Sequence, residues 1–257
     1  MLLLDWFLWF VIYSFIGWAY ESALFTIHDK RFVNRGFLNG PLCPVYGFGA
    51  LLLLLILDHR TDSLVILFFA AVALTTTLEY ITAIILENVF HAKWWDYSMF
   101  PMNFKGRISP LSSAVFGVLS VVGIKYIQPF MKSLTDQLSL NTKTTMLLIF
   151  FIYLIIDLST TVRHVLILNG RLSEIQSALN CFISKYSRRA GEFRTAFLVN
   201  FEESEFYSER IKTLFNLDRV QNRRMFRAFP KLRSITYDDA LKKLKEKLLG
   251  QRDGGGE

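Results

Sequence analysis

Five apolar runs fill the first two thirds of this chain, at about 5–27, 42–57, 64–86, 111–130 and 145–165. Each approaches the ~20 residues a helix needs to cross a hydrocarbon core. Inside lipid the backbone must satisfy its own hydrogen bonds, so runs of this length fold as helices or not at all. The expected architecture is all-α: a membrane bundle of about five spans over residues 1–165, followed by a charged helical tail over 166–250. The end, 251–257, is expected to be loose. The second run is the shortest and begins near Pro41, so a partly re-entrant segment is one expectation for it. Ser109 followed by Pro110 has the form of an N-cap and first helical residue for the fourth span.

Charge divides the chain at the same place. Residues 163–257 hold 19 of the 29 Lys and Arg and 12 of the 22 Asp and Glu, so the whole formal charge of +7 belongs to the tail. Lys30, Arg31 and Arg35 lie in the first loop and Lys93, Lys105 and Arg107 in the third. The second loop has only Arg60, and the fourth has Lys132 and Lys143. Basic loops stay in the cytoplasm. This predicts a cell-membrane protein with its N-terminus outside and its C-terminus inside, and a basic tail near anionic lipid. The tail's acids are interleaved with its bases, which argues against nucleic acid as the partner. The start, MLLLDWFLWF, has no positive n-region and reads as a retained span rather than a cleaved signal. Two cysteines, Cys43 and Cys181, suggest no disulfide framework and suit a reducing compartment.

With that orientation the polar residues of the spans converge. Glu21 falls near the inner end of the first span, Glu79 and Glu87 in the inner part of the third, and Asp157, Arg163 and His164 in the inner half of the fifth. Ionisable groups at membrane depth normally face a partner, the bundle interior or a wet cavity. The candidate substrate or ion site therefore comprises Glu21, Glu79, Arg35, Trp95, Asp96, Asn103 and Arg107, with Glu87 and Asp157 as secondary candidates.

Several blocks in this region are distinctive. They are YSFIGWAYES (Tyr13–Ser22), NRGFLNGPLCPVYGFGA (Asn34–Ala50), LEY (Leu78–Tyr80) and WWDYSMFPMNFKGRISP (Trp94–Pro110). In this order they resemble the putative ABC-transporter type IV family, the CmpB-like membrane proteins. RAFPKLRS and the YDDALKKLKEKL that follows it resemble the C-terminal portion of the same proteins. The resemblance implies a multi-pass bacterial membrane protein, generally of low-GC Gram-positive type, and a transport permease by family name. The chain has no G-x-x-x-x-G-K-[ST] phosphate loop. An ATPase would therefore have to be a separate subunit, and a homo-oligomer is the other assembly in view.

Each motif carries a second reading. Glu21 and Glu79 could bind a cation or relay a proton, or could pair with Arg35 or Arg107 to lock helices together. The Gly- and Pro-rich stretch 34–49 could line a ligand or simply shape a hairpin between spans. Trp94, Trp95 and Tyr97 could stack on a ligand or form an interfacial aromatic belt. Asp96 could pair with Arg107 or Lys93, while Asn103 and Arg107 could offer donors to an anion, a lipid headgroup included. His91 and His164 lack metal-ligand spacing. With no nucleophile motif either, neither a metal, a cofactor nor an enzymatic activity is expected.

In the tail, Leu172, Ile175, Leu179, Phe182 and Tyr186 form a helical stripe. Phe206, Ile211, Leu214, Phe215, Val220 and Phe226 form a second, ending near Pro230. Thr236 with Asp239 resembles a capping pair for a last helix facing inward through Leu241, Leu244 and Leu248. Two functional classes remain. One is a permease-like component with a cytoplasm-facing polar site. The other is a non-transporting scaffold or regulator whose charges are internal pairs and whose tail binds partners or anionic lipid. An enzyme acting on lipid-linked substrates is a third class without supporting residues.

Overall fold

The computed structural model describes residues 2–57, 63–186, 201 and 204–250. The second loop with Arg60 and the expected loose end 251–257 lie outside the described residues. Among the described residues the fold is all-α apart from one two-residue strand pair and an isolated bridge between Phe104 and Ile108. Helix α1 (Leu2–Asp29), α2 (Pro44–Leu57), α3 (Leu64–Phe90), α4 (Pro110–Val122), α5 (Gln128–Asp136) and α6 (Leu140–Tyr186) build the bundle. Helices α7 (Glu209–Asn216), α8 (Arg219–Ala228) and α9 (Asp238–Leu249) belong to the tail.

Among the described residues, four stretches are long and apolar enough to cross a membrane: Leu3–Asp29, Leu64–Phe90, Pro110–Asp136 and Leu140–Lys185. The exception among the expected spans is the second. As a 14-residue helix, α2 reaches about 21 Å at 1.5 Å per residue, short of a hydrocarbon core of about 30 Å. Ser109 caps α4 as its sequence predicts: its hydroxyl accepts from the Ser112 backbone, Ser112 returns the bond, and Pro110 follows. The fourth span continues through a π-helical turn, Gly123–Ile127, directly before Pro129. Proline has no amide hydrogen and crowds the carbonyl four residues back, here that of Lys125, so the ladder shifts there instead of breaking.

Only 11% of the apolar windows of α3 and α6 is buried within the protein. Phe69, Ile81 and Ile85 on α3, and Ile149, Ile152 and Ile156 on α6, point outward. Such faces suit lipid and would be costly in water. Between α1 and α2 the contact is closest at glycine. A Cβ on Gly17 would lie 2.1 Å from the Tyr46 ring, and one on Gly47 2.3 Å from the Ser14 hydroxyl. Small residues admit this approach where helices associate in lipid.

Helix α6 is a single helix of 47 residues, about 70 Å long. It carries the expected fifth span and runs on without a break into the segment expected as tail. There its stripe, Leu172, Ile175, Leu179 and Phe182, is buried against Phe215, Phe226, Leu241, Leu244 and Leu248. The second predicted stripe is less regular than the first because the chain turns at Asp218, in the left-handed region at φ 49°, between α7 and α8. Val220 is exposed rather than in that core. The last helix begins one residue later than the Thr236 cap predicts: Tyr237 is the N-cap, with no side-chain hydrogen bond to the first turn.

The tail folds back on the bundle. Strand β1 (Ala92–Lys93), just past α3, pairs antiparallel with β2 (Arg233–Ser234), and the Ile235 amide donates to the His91 carbonyl at 2.8 Å. Trp94 is therefore buried, edge-on to Phe37 and Phe229, rather than part of an interfacial belt.

Candidate functional site

The first loop, the third loop and the tail meet at one end of the bundle, and the expected polar residues gather there. Their partners divide them. Glu21 accepts from the Tyr46 hydroxyl at 2.6 Å and from Arg35 Nε at 3.4 Å. Arg35 also donates to the Ala228 carbonyl in the tail and stacks 3.7 Å over the Phe25 ring. Its charge is thus met by a carboxylate, a carbonyl and a π face together.

Arg107 pairs with Glu87 rather than Glu79. Its Nε lies 3.1 and 3.2 Å from the two carboxylate oxygens, and a terminal nitrogen lies 2.5 Å from one of them. The Tyr80 hydroxyl accepts from the other terminal nitrogen at 3.3 Å. The bonds to Glu87 hold the Arg107 guanidinium even more firmly protonated than usual. This fork geometry is the strong form of an ion pair. The carbonyl of Arg107 accepts from the Trp95 indole at 2.9 Å, which fixes Trp95 against the loop.

Asp157 on α6 receives the amides of Asn39 at 2.9 Å and Gly40 at 2.8 Å, and the Tyr153 hydroxyl at 3.4 Å. It clamps the Gly- and Pro-rich loop. From the other side, Arg224 of α8 donates to the carbonyls of Gly36 and Leu38 at 3.2 and 3.0 Å. His164 bonds Asn222 of the same helix at 3.0 Å. These contacts make the 34–40 loop the seat of the tail.

The third loop is tightly wound, with Met102, Lys105 and Gly106 all at left-handed φ. A side chain at Gly106 would also lie 2.6 Å from the Asp96 carboxylate, so only glycine fits there. Asn103 organises the turn: it donates to the carbonyls of Ser98 and Phe100 and accepts from the Gly106 amide at 3.0 Å. Asp96 is capped by the amide and hydroxyl of Ser98. Burial pushes its carboxyl up, but the Ser98 bonds with Lys93 and Lys231 nearby outweigh this and hold it below the usual carboxylate range.

Glu79 differs from the rest. Its side chain is buried on α3, and one oxygen accepts from the Tyr97 hydroxyl at 3.0 Å. The other, Oε2, is buried with no hydrogen-bond partner among the described residues; the nearby Ser112 hydroxyl donates instead to the Ser109 carbonyl at 2.9 Å. Thr76 and Ser113 bond each other at 2.7 Å on the same helix pair, α3 and α4. Burial first, then the Glu79 and Glu21 carboxylates, push the Tyr97 hydroxyl far above its ordinary range, so it stays a donor.

The sequence assigned these residues to one place but could not pair them. It did not single out Tyr46 or Tyr80, and it read Tyr97 as a stacking or belt residue; each bonds an acid of the spans or its arginine. The signal was present as the tyrosines of YGFG, LEY and WWDY, one per polar block. Among the described residues no group of three His, Cys, Asp or Glu is placed to hold a metal.

A family model described as putative ABC-transporter type IV matches residues 8–162. No curated protein and no solved structure matches.

Proposed function

The chain belongs to the putative ABC-transporter type IV family, and from that premise we propose that it is a permease-like membrane component with Glu79 as its ion-handling group. One observation carries the reading. Of the five expected carboxylates, Glu21, Asp96, Glu87 and Asp157 are closed by arginine, tyrosine, serine or backbone amides, whereas Glu79 keeps a buried oxygen without a partner among the described residues. A carboxylate so placed needs a proton or a cation. Tyr97 fixes its other oxygen and so aims it. Glu21, Arg35, Trp95, Asp96, Asn103 and Arg107 then shape the cytoplasmic entrance around it. The proposed setting is the cell membrane, N-terminus outside and C-terminus in the cytoplasm. A separate ATPase subunit or a second copy of the chain would complete the assembly.

In reconstituted vesicles, Glu79→Gln is expected to abolish cation or proton movement while the protein stays folded and at normal abundance. A folded Glu79→Gln protein with unchanged movement would remove Glu79 from this role. The scaffold reading draws on the four closed carboxylates and the tail clamped to the 34–40 loop. It predicts instead that Glu79→Gln changes only stability, and that Arg224→Gln releases the tail.

A further inference from the structure

A cleft of about 340 Å³ lies between the third loop and the tail, lined by Asp96, Met99, Lys231, Arg233, Lys242 and Lys245, among others. Its charges are unevenly matched. Arg233 and Lys242 share one oxygen of Asp238, at 3.3 and 2.9 Å. The Asp96 carboxylate is already capped by Ser98. Lys231 and Lys245 have carbonyls and ring faces but no acid: Lys231 donates to Asp96 O at 3.1 Å and lies 5.7 Å from the Phe100 ring, and Lys245 donates to Pro230 O at 3.0 Å and Leu232 O at 2.5 Å and lies 5.8 Å from the Phe226 ring. Neither has a carboxylate within ion-pair distance among the described residues.

Two ammonium groups held by backbone carbonyls in the lining of one cleft form a fixed positive pair. Burial lowers Lys245 to about 8, and the Asp238 carboxylate, beyond ion-pair distance, offsets this only in part. An anion in the cleft would remove that cost. At the rim Met99 is 85% exposed, on a loop directly joined to α3 and α4. An apolar side chain beside cations at the foot of two spans suits a ligand with an acyl chain next to its phosphate.

We propose that this cleft binds a phosphate group between Lys231 and Lys245, presented by an anionic lipid headgroup or by a soluble phosphate. The site stands apart from Glu79 and does not rest on the permease reading.

The test uses the full chain in neutral detergent, titrated separately with short-chain phosphatidylglycerol, short-chain phosphatidylcholine and inorganic phosphate, and followed by thermal unfolding. Saturable stabilisation by phosphatidylglycerol but not phosphatidylcholine is expected, with half-saturation about tenfold weaker in Lys231→Gln and again in Lys245→Gln, since one charge-assisted bond is worth about that much. Equal stabilisation by inorganic phosphate would identify the free anion as the source. Should Lys245→Gln prove poorly folded, Lys242→Glu replaces it: a reversed charge on the exposed rim is expected to weaken binding, read against that variant's own unliganded midpoint, which loss of the Asp238 pair lowers slightly. Lys132→Gln, elsewhere on the bundle, should bind as the parent does. No saturable effect of either phosphate ligand, or unchanged binding in both Lys231→Gln and Lys242→Glu, would overturn the proposal.

Discussion

Breaking the Glu87–Arg107 fork gives the sharpest energetic test of how this end of the bundle is held. Glu87→Leu leaves a guanidinium with one hydroxyl partner, Tyr80, where it had a bidentate carboxylate. The side chains are 9% and 21% exposed. Removing one member of a fully buried pair costs about 3–5 kcal/mol, because the survivor is left charged and unmatched. Partial access of water to Arg107 reduces this to about 2–3 kcal/mol. For a chain of this size that is a fall of about 5–10 °C in unfolding midpoint, at roughly 2–4 °C per kcal/mol. Glu87→Leu combined with Arg107→Met removes both charges and should recover most of the loss. The assay is thermal unfolding of the two single variants and the double variant in detergent, closed as a double-mutant cycle. Additive losses, with the double variant weaker than either single, would refute the reasoning and show that Arg107 acts through something other than Glu87.

Other expectations follow from particular contacts. Gly40→Ala would place a Cβ 1.5 Å from the Tyr153 hydroxyl and 2.9 Å from Asp157; an overpacking loss of about 1–3 kcal/mol is expected, read as a lower unfolding midpoint. Arg224→Gln frees the carbonyls of Gly36 and Leu38, and faster amide exchange should appear at 34–40 while α3 is unchanged. Lys245 carries a pKa lowered from 10.5 to about 8, so its charged form is disfavoured by folding. The unliganded protein should gain stability as pH rises through that window, and a phosphodiester headgroup should bind more weakly from pH 7 to 9, as Lys245 loses its proton. Asp96 and Asp238, held below the usual carboxylate range, keep their charge there; Lys231, Arg233 and Lys242 are the other charged groups facing the cleft.

The spans were legible because long apolar runs admit one solution in lipid, and the α4 cap because Ser109 and Pro110 act within one turn. Partners at long range were not. Nothing local distinguishes Glu79 from Glu87 as the mate of Arg107; the choice depends on a loop wound through three left-handed residues. Trp94 reads as an interfacial residue until the tail, some 135 positions later, supplies Phe229 to cover it. The last helix begins at Asp238 because β2 and the Ser234 hydroxyl, which accepts from the Tyr237 amide at 2.9 Å, fix the chain just before it. That geometry overrides the Thr236 signal.

The central claim is that Glu79, among the carboxylates of the described membrane spans, is left open for a proton or cation. Its most direct test is Glu79→Cys in a chain lacking Cys43 and Cys181, exposed to a membrane-impermeant thiol reagent from each face of sealed vesicles. Reaction from the cytoplasmic face only is the predicted result. Complete protection from both faces in a folded protein would contradict it and make Glu79 a closed structural group like its neighbours.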